Sequence, residues 1–221
     1  DWRWNKANVQ SVGGGFTVHS DSKAAGGDGG SSSVLRFYVG ARTGVDQLEG
    51  NATAGMAELR RDGFASISAK SESSTKGTAT DAVSGMHRLV THPLRFSSAV
   101  KGTEPLFFLN ADHTEGLIVS VLDSDTQDPL PGLAESDWKG AVDVNGAPAS
   151  SGDRLKGVWS NARALASASD RAVRLSFKFQ SPATQLFSFW IARDGCGASD
   201  GWVAAGGPSF NTSRDLYGAC S

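Results

Sequence analysis

Val173-Arg174-Leu175-Ser176-Phe177-Lys178-Phe179-Gln180 alternates apolar and polar residues without error. Successive side chains of a strand point to opposite faces, so the pattern lines one face with large apolar groups and leaves the other to water. A turn follows at Ser181-Pro182-Ala183-Thr184, and then Gln185-Leu186-Phe187-Ser188-Phe189-Trp190-Ile191, apolar in part on both faces, as a covered strand would be. These two runs predict a hairpin, with Trp190 in the core. Leu106-Phe107-Phe108-Leu109 and Leu117-Ile118-Val119-Ser120-Val121-Leu122 predict a second pair across residues 110–116, and further strands are expected at 64–69, 92–96 and 155–159. Short strands separated by turn chemistry define an all-β class, and the expected architecture is an antiparallel, jelly-roll-like β-sandwich.

Composition agrees with that class. The chain has 221 residues with 27 Gly, and few windows carry helical periodicity. Lys and Arg number 21 against 23 Asp and Glu, and no stretch concentrates positive charge. That balance argues against a nucleic-acid partner. No apolar run approaches the roughly 18 residues of a membrane-spanning helix, so membrane insertion is not expected. The chain starts at Asp1 rather than Met, from which removal of an upstream segment is expected.

Working back toward the N-terminus, the texture changes at Glu58-Leu59-Arg60-Arg61-Asp62-Gly63-Phe64-Ala65-Ser66-Ile67. Before it lie strands at 16–19 and 34–39, preceded by Trp2-Arg3-Trp4 and separated by a Gly/Ser/Asp loop. Two or three strands cannot bury both faces alone, so this unit must pack on the following domain or on another polypeptide. The expected division is a β unit over 1–57, a sandwich over 58–192 and an irregular tail over 193–221.

Cys196 and Cys220, both near the C-terminus, are the candidate disulfide, although two free thiols satisfy the sequence as well. With the sequons Asn51-Ala52-Thr53 and Asn211-Thr212-Ser213, which mark Asn51 and Asn211 as glycosylation candidates, they predict a secreted or extracellular protein. Asp123, Asp125 and Asp128 bring three carboxylates into one turn, a spacing that suits Ca²⁺. That turn lacks the sixth-position Gly and distal Glu of an EF-hand, and a solvated hairpin turn is the better reading; no other cofactor is expected. His87 and His92 have no third ligand near them in sequence. Gly197-Ala198-Ser199-Asp200-Gly201 matches the form of a nucleophile elbow, but no helix-forming run follows and all four His precede it. A Gly-rich loop is the simpler reading. An exposed indole stacks on the apolar face of a sugar, which makes Trp2, Trp4, Trp138 and Trp202 candidate glycan contacts, while burial in packing is the usual fate of Trp.

The runs 4–14, 35–42 and 59–66 resemble the last propeller blade and junction of glycoside hydrolase family 32 proteins. Residues 117–122, Asp128-Pro129-Leu130-Pro131-Gly132, 173–179, 186–190 and 201–208 resemble the β-sandwich of that family. The resemblance implies a five-bladed propeller upstream, joined here to its C-terminal sandwich. It also implies that the catalytic carboxylates lie in earlier blades, because the family's nucleophile, stabiliser and acid/base motifs are missing from this sequence. Arg61-Asp62-Gly63 and Arg193-Asp194-Gly195 mimic the stabiliser motif with Gly in place of Pro. Glycoside hydrolysis needs two carboxyl groups about 5 to 9.5 Å apart across the sugar, so each Asp-Gly reads as a turn and no catalytic residue is expected in this chain. Two roles remain: a non-catalytic structural portion of a glycosidase-like protein, with a glycan as candidate ligand, or a freestanding extracellular assembly protein whose N-terminal strands pair with another subunit.

Overall fold

The computed structural model describes residues 8–11, 16–21, 32–42, 52–69, 87–96, 104–192 and 195–197. The protein is all-β, and its described residues form eleven strands in three antiparallel sheets. In the first sheet, β3 (Ser32–Arg42) pairs along one edge with β4 (Ala52–Arg60). Because β4 fills that edge from Val34 to Arg42, β1 (Asn8–Ser11) and β2 (Thr17–Asp21) must share the other. They form one interrupted strand. Four strands replace the two or three expected, and the last of them, β4, runs through Arg60.

The second sheet has the order β5-β10-β7, from His87–Val90, Val173–Phe179 and Leu117–Asp123. The third has the order β11-β6-β9-β8, from Gln185–Ala192, Leu106–Asp112, Gly152–Trp159 and Trp138–Val142. These two sheets face each other across one core in a sandwich-like arrangement. Val173, Leu175, Phe177 and Phe179 of β10 are all buried, as the alternation demands, and meet Phe107 and Leu109 of β6 and Leu155 of β9. Phe107 is the hub of the aromatic packing, with ring centroids of Trp159 at 5.5 Å and of Trp138, Phe177 and Phe189 at 6.4 Å.

The two expected hairpins are not hairpins. β10 pairs with β5 and β7, whereas β11 pairs with β6, so the turn at 181–184 crosses from one sheet to the other. β6 and β7 likewise belong to opposite sheets. Each pair is an arch over the core. The arches nest, because β7 pairs with β10 while β6 pairs with β11. Their bends are tied together where Thr184 Oγ1 donates to the His113 carbonyl at 2.8 Å and Gln180 N–H donates to the Gly116 carbonyl at 2.7 Å. A hairpin would have laid both apolar faces on one side of a single sheet; the arch sets them against each other and buries both. The segments 64–69 and 92–96 carry single bridges at Ile67 and Leu94 rather than full strands.

Candidate functional site

The first sheet joins the sandwich through polar contacts on the outer face of the third sheet. Arg60 closes β4, and its Nε donates to Asn110 Oδ1 at 2.6 Å while Nη1 reaches both carboxylate oxygens of Asp112 at 2.9 Å. Its guanidinium also lies 4.4 Å from the Phe187 ring centre. Asn110 returns the contact, donating from Nδ2 to the Arg61 carbonyl at 2.7 Å. Asn110 and Asp112 reach this face because β6 alternates, with Phe107, Leu109 and Ala111 turned into the core. A second tie joins Ser33 N–H to Oδ2 of the buried Asp153 at 2.6 Å. Charge-assisted bonds of this kind are directional, so they fix an orientation that apolar packing alone would leave loose.

The Asp62 turn sits beside this node. Gly63 N–H donates to the Arg60 carbonyl at 3.2 Å, and Asp62 has φ 51, the left-handed conformation that Asp tolerates in turns. Its side chain is exposed and lies 3.5 Å from Arg61. The turn reading of Asp62 describes its geometry. Asp194 lies outside the described residues.

Beyond β11 the chain crosses the same outer face. Gly197 has φ 80 and lies so close to Phe108 that a Cβ there would meet its ring at 2.7 Å. Trp190 stacks on Phe108 with centroids 5.8 Å apart and donates to the Gly197 carbonyl at 3.2 Å. Trp190 therefore sits outside the core, contrary to expectation. The bulge between Leu186 and Ser188 shifts the alternation, turning Phe189 and Ile191 inward and Trp190 outward. Arg154 of β9 donates to the Cys196 carbonyl at 3.3 Å.

Of the candidate glycan contacts, Trp138 is partly buried: its indole N–H donates to the Leu117 carbonyl at 2.9 Å, and its ring meets Trp159 edge-on at 5.0 Å. It works as packing, with its donor already used. Trp2, Trp4 and Trp202 lie outside the described residues, as do Cys220, Asn51, Asn211 and Ser199. In the Asp turn, Asp123 Oδ1 accepts from the backbone N–H of Asp125 at 2.9 Å and of Thr126 at 3.2 Å, and Oδ2 pairs with Arg171. Those contacts hold its carboxyl below the usual carboxylate value, with the Asp125 N–H the largest cause. Its oxygens are spent on the turn, and among the described residues no group of three or more His, Cys, Asp or Glu is placed to hold a metal ion. His87 opens β5 and His92 follows it, and among the described residues they are not joined by a third ligand.

Clefts lined by described residues open on the sandwich. One of about 320 Å³ is lined by Leu106, Val142, Lys156, Val158, Trp159 and Leu165, among others; the second, of about 240 Å³, lies between residues 94–96 and β11. Neither is lined by a carboxylate, so neither offers the paired acids that glycoside hydrolysis needs. No helix among the described residues is long and apolar enough to cross a membrane. Comparison with family models, curated proteins and solved structures finds no match to this chain. Fold and site together define an all-β chain whose described residues assemble a polar joint between a first sheet and a sandwich.

Proposed function

We propose that this chain is a non-catalytic portion of a secreted glycosidase-like protein, in which a jelly-roll-like sandwich anchors the last, blade-like sheet of a propeller of the family 32 type. One observation carries the reading. The exposed large apolar side chains among the described residues are Val18, Tyr38, Met56, Leu59, Phe64 and Ile67, all in the first sheet or the junction and none in the sandwich. Register puts Val18, Leu35 and Leu59 side by side on one face, with Phe37 and Ala57 paired on that same face and Phe16 5.5 Å from the Phe37 ring. Among the described residues the sandwich leaves no large apolar side chain exposed, while the first sheet presents apolar surface that another layer of protein would cover.

In this reading the Arg60 joint holds the blade at a set angle, glycan contacts come from Trp side chains outside the described residues, and a Cys196–Cys220 disulfide closes the tail. Co-expression with the upstream polypeptide tests it: the complex should bury Leu59 and Val18, seen as loss of dye binding to the apolar face. A chain that shows no dye binding when alone would contradict it.

The same apolar face supports a second reading, a freestanding extracellular protein that assembles through its N-terminal strands. Stoichiometry separates the two. A homo-oligomer of this chain that dissociates on Leu59→Ser supports assembly, and a monomer supports the first reading.

A further inference from the structure

The flank of the sandwich beside β11 carries a groove that the proposed function does not use. Phe189, Trp190 and Ile191 all line the 240 Å³ cleft, although they are consecutive in one strand. Their side chains alternate between faces, so a cavity can touch all three only if it runs along the strand's edge. β6 occupies one edge of β11; among the described residues the other is met only at Leu186, by the bridge with Ile67. Leu94, Arg95 and Phe96 form the opposite wall, bridged through Leu94 to Val173 of β10. The cleft is thus the open side of the sandwich, between the edges of its two sheets.

The ladder says which backbone groups are on offer. Leu186 turns both its N–H and its carbonyl outward, exchanging bonds of 2.9 Å with Ile67. Direction alternates along an antiparallel strand, and the bulge at Phe187 shifts the count by one. Ser188 and Trp190 therefore bond toward β6, while Phe189 and Ile191 point their N–H and carbonyl groups into the groove. The same two residues are partly buried against the core, so apolar side chains floor the groove beneath a backbone edge that has no strand partner there among the described residues. At its rim Arg95 is exposed, with no hydrogen bond or ion pair among the described residues.

We infer that this edge accepts an extended peptide segment of another polypeptide by strand addition. The segment bonds to the backbone of Phe189 and Ile191, sets an apolar side chain into the cleft, and meets Arg95 with a carboxylate. Strand addition draws affinity from main-chain bonds and specificity from pockets that take alternate side chains, and both are laid out here. An uncovered apolar edge is otherwise a hazard for aggregation, and this one lacks the charged strand residues that usually blunt it.

The test uses the full chain and a fluorescein-labelled heptapeptide with Val at alternate positions and one Asp between them, read by fluorescence polarisation. Saturable binding is expected, weakened about tenfold or more both by Arg95→Glu and by N-methylation of alternate peptide nitrogens. Arg95 is exposed, so its variant should fold, and an unchanged thermal transition checks that. Binding that survives both changes overturns the proposal, as does absence of binding up to about 1 mM peptide. Dimerisation of the chain that Arg95→Glu abolishes assigns the edge to a second copy and also overturns it.

Discussion

Arg60 Nη1 lies 2.9 Å from each carboxylate oxygen of Asp112, and this contact, formed across 52 positions of sequence, joins the first sheet to the sandwich. Both side chains are largely shielded, at 16% and 28% exposure, so water competes poorly for them. Removing one partner strands the other. Arg60→Ala should cost about 2–3 kcal/mol in urea denaturation, and Arg60→Lys should recover only part, because an ammonium lacks the planar fork that reaches Asn110 as well. A double-mutant cycle with Asp112→Ala should give a coupling of about 1 kcal/mol or more. Simple additivity of the two variants would mean the contact does not hold the joint.

Gly157 is required by its neighbours rather than by its own backbone. A Cβ there would meet Phe107 at 2.6 Å and the Trp138 ring at 2.7 Å, and Phe107 is already enclosed by four aromatic rings. Gly157→Ala should therefore destabilise by about 1–3 kcal/mol through overpacking. Thermal denaturation followed by Trp fluorescence measures it, and an unchanged midpoint would contradict the packing described.

Asp123 has its carboxyl held below 3.8, first by the Asp125 N–H and next by the Thr126 N–H, with Arg171 adding to them. A depressed folded-state value means that these contacts contribute stability above the unfolded value of about 3.9 and lose it as pH falls through the folded one. Asp123→Asn should accordingly lower stability at neutral pH, with the difference from the parent protein shrinking as pH falls through the folded value, so that the acid side of the stability profile is flatter. A carboxyl carbon titration by NMR with its midpoint at or above 3.8 would contradict the capping role.

Passage through a secretory pathway should leave marks at the two sequons. Intact-mass spectrometry of protein expressed that way is expected to show glycan removable by Asn51→Gln and Asn211→Gln, and a shift of two hydrogens on reduction of Cys196 and Cys220. An unmodified mass with two free thiols would argue against an extracellular setting.

The position of β10 was legible because it writes its burial into alternation, at Val173, Leu175, Phe177 and Phe179, whereas β7 was legible as a short, nearly continuous apolar run. Partnering was not. A four-residue turn looks the same whether it closes a hairpin or an arch, and only the nesting of β7 on β10 and of β6 on β11 distinguishes them. β4 was missed because Ala52-Thr53-Ala54-Gly55-Met56-Ala57 has weak strand propensity of its own and is held by pairing with β3. The Arg60 joint had no local signal either, since Asn110 and Asp112 lie 50 and 52 positions from it in sequence. Trp190 was misplaced by one bulge, which exchanged the inner and outer faces of β11.

The proposed function turns on what polypeptide covers the first sheet, and the sequence of the transcript upstream of Asp1 tests that most directly. The account predicts an open reading frame that continues upstream through further four-stranded repeats carrying two Asp and one Glu in family 32 motifs. A signal peptide immediately before Asp1 would contradict it.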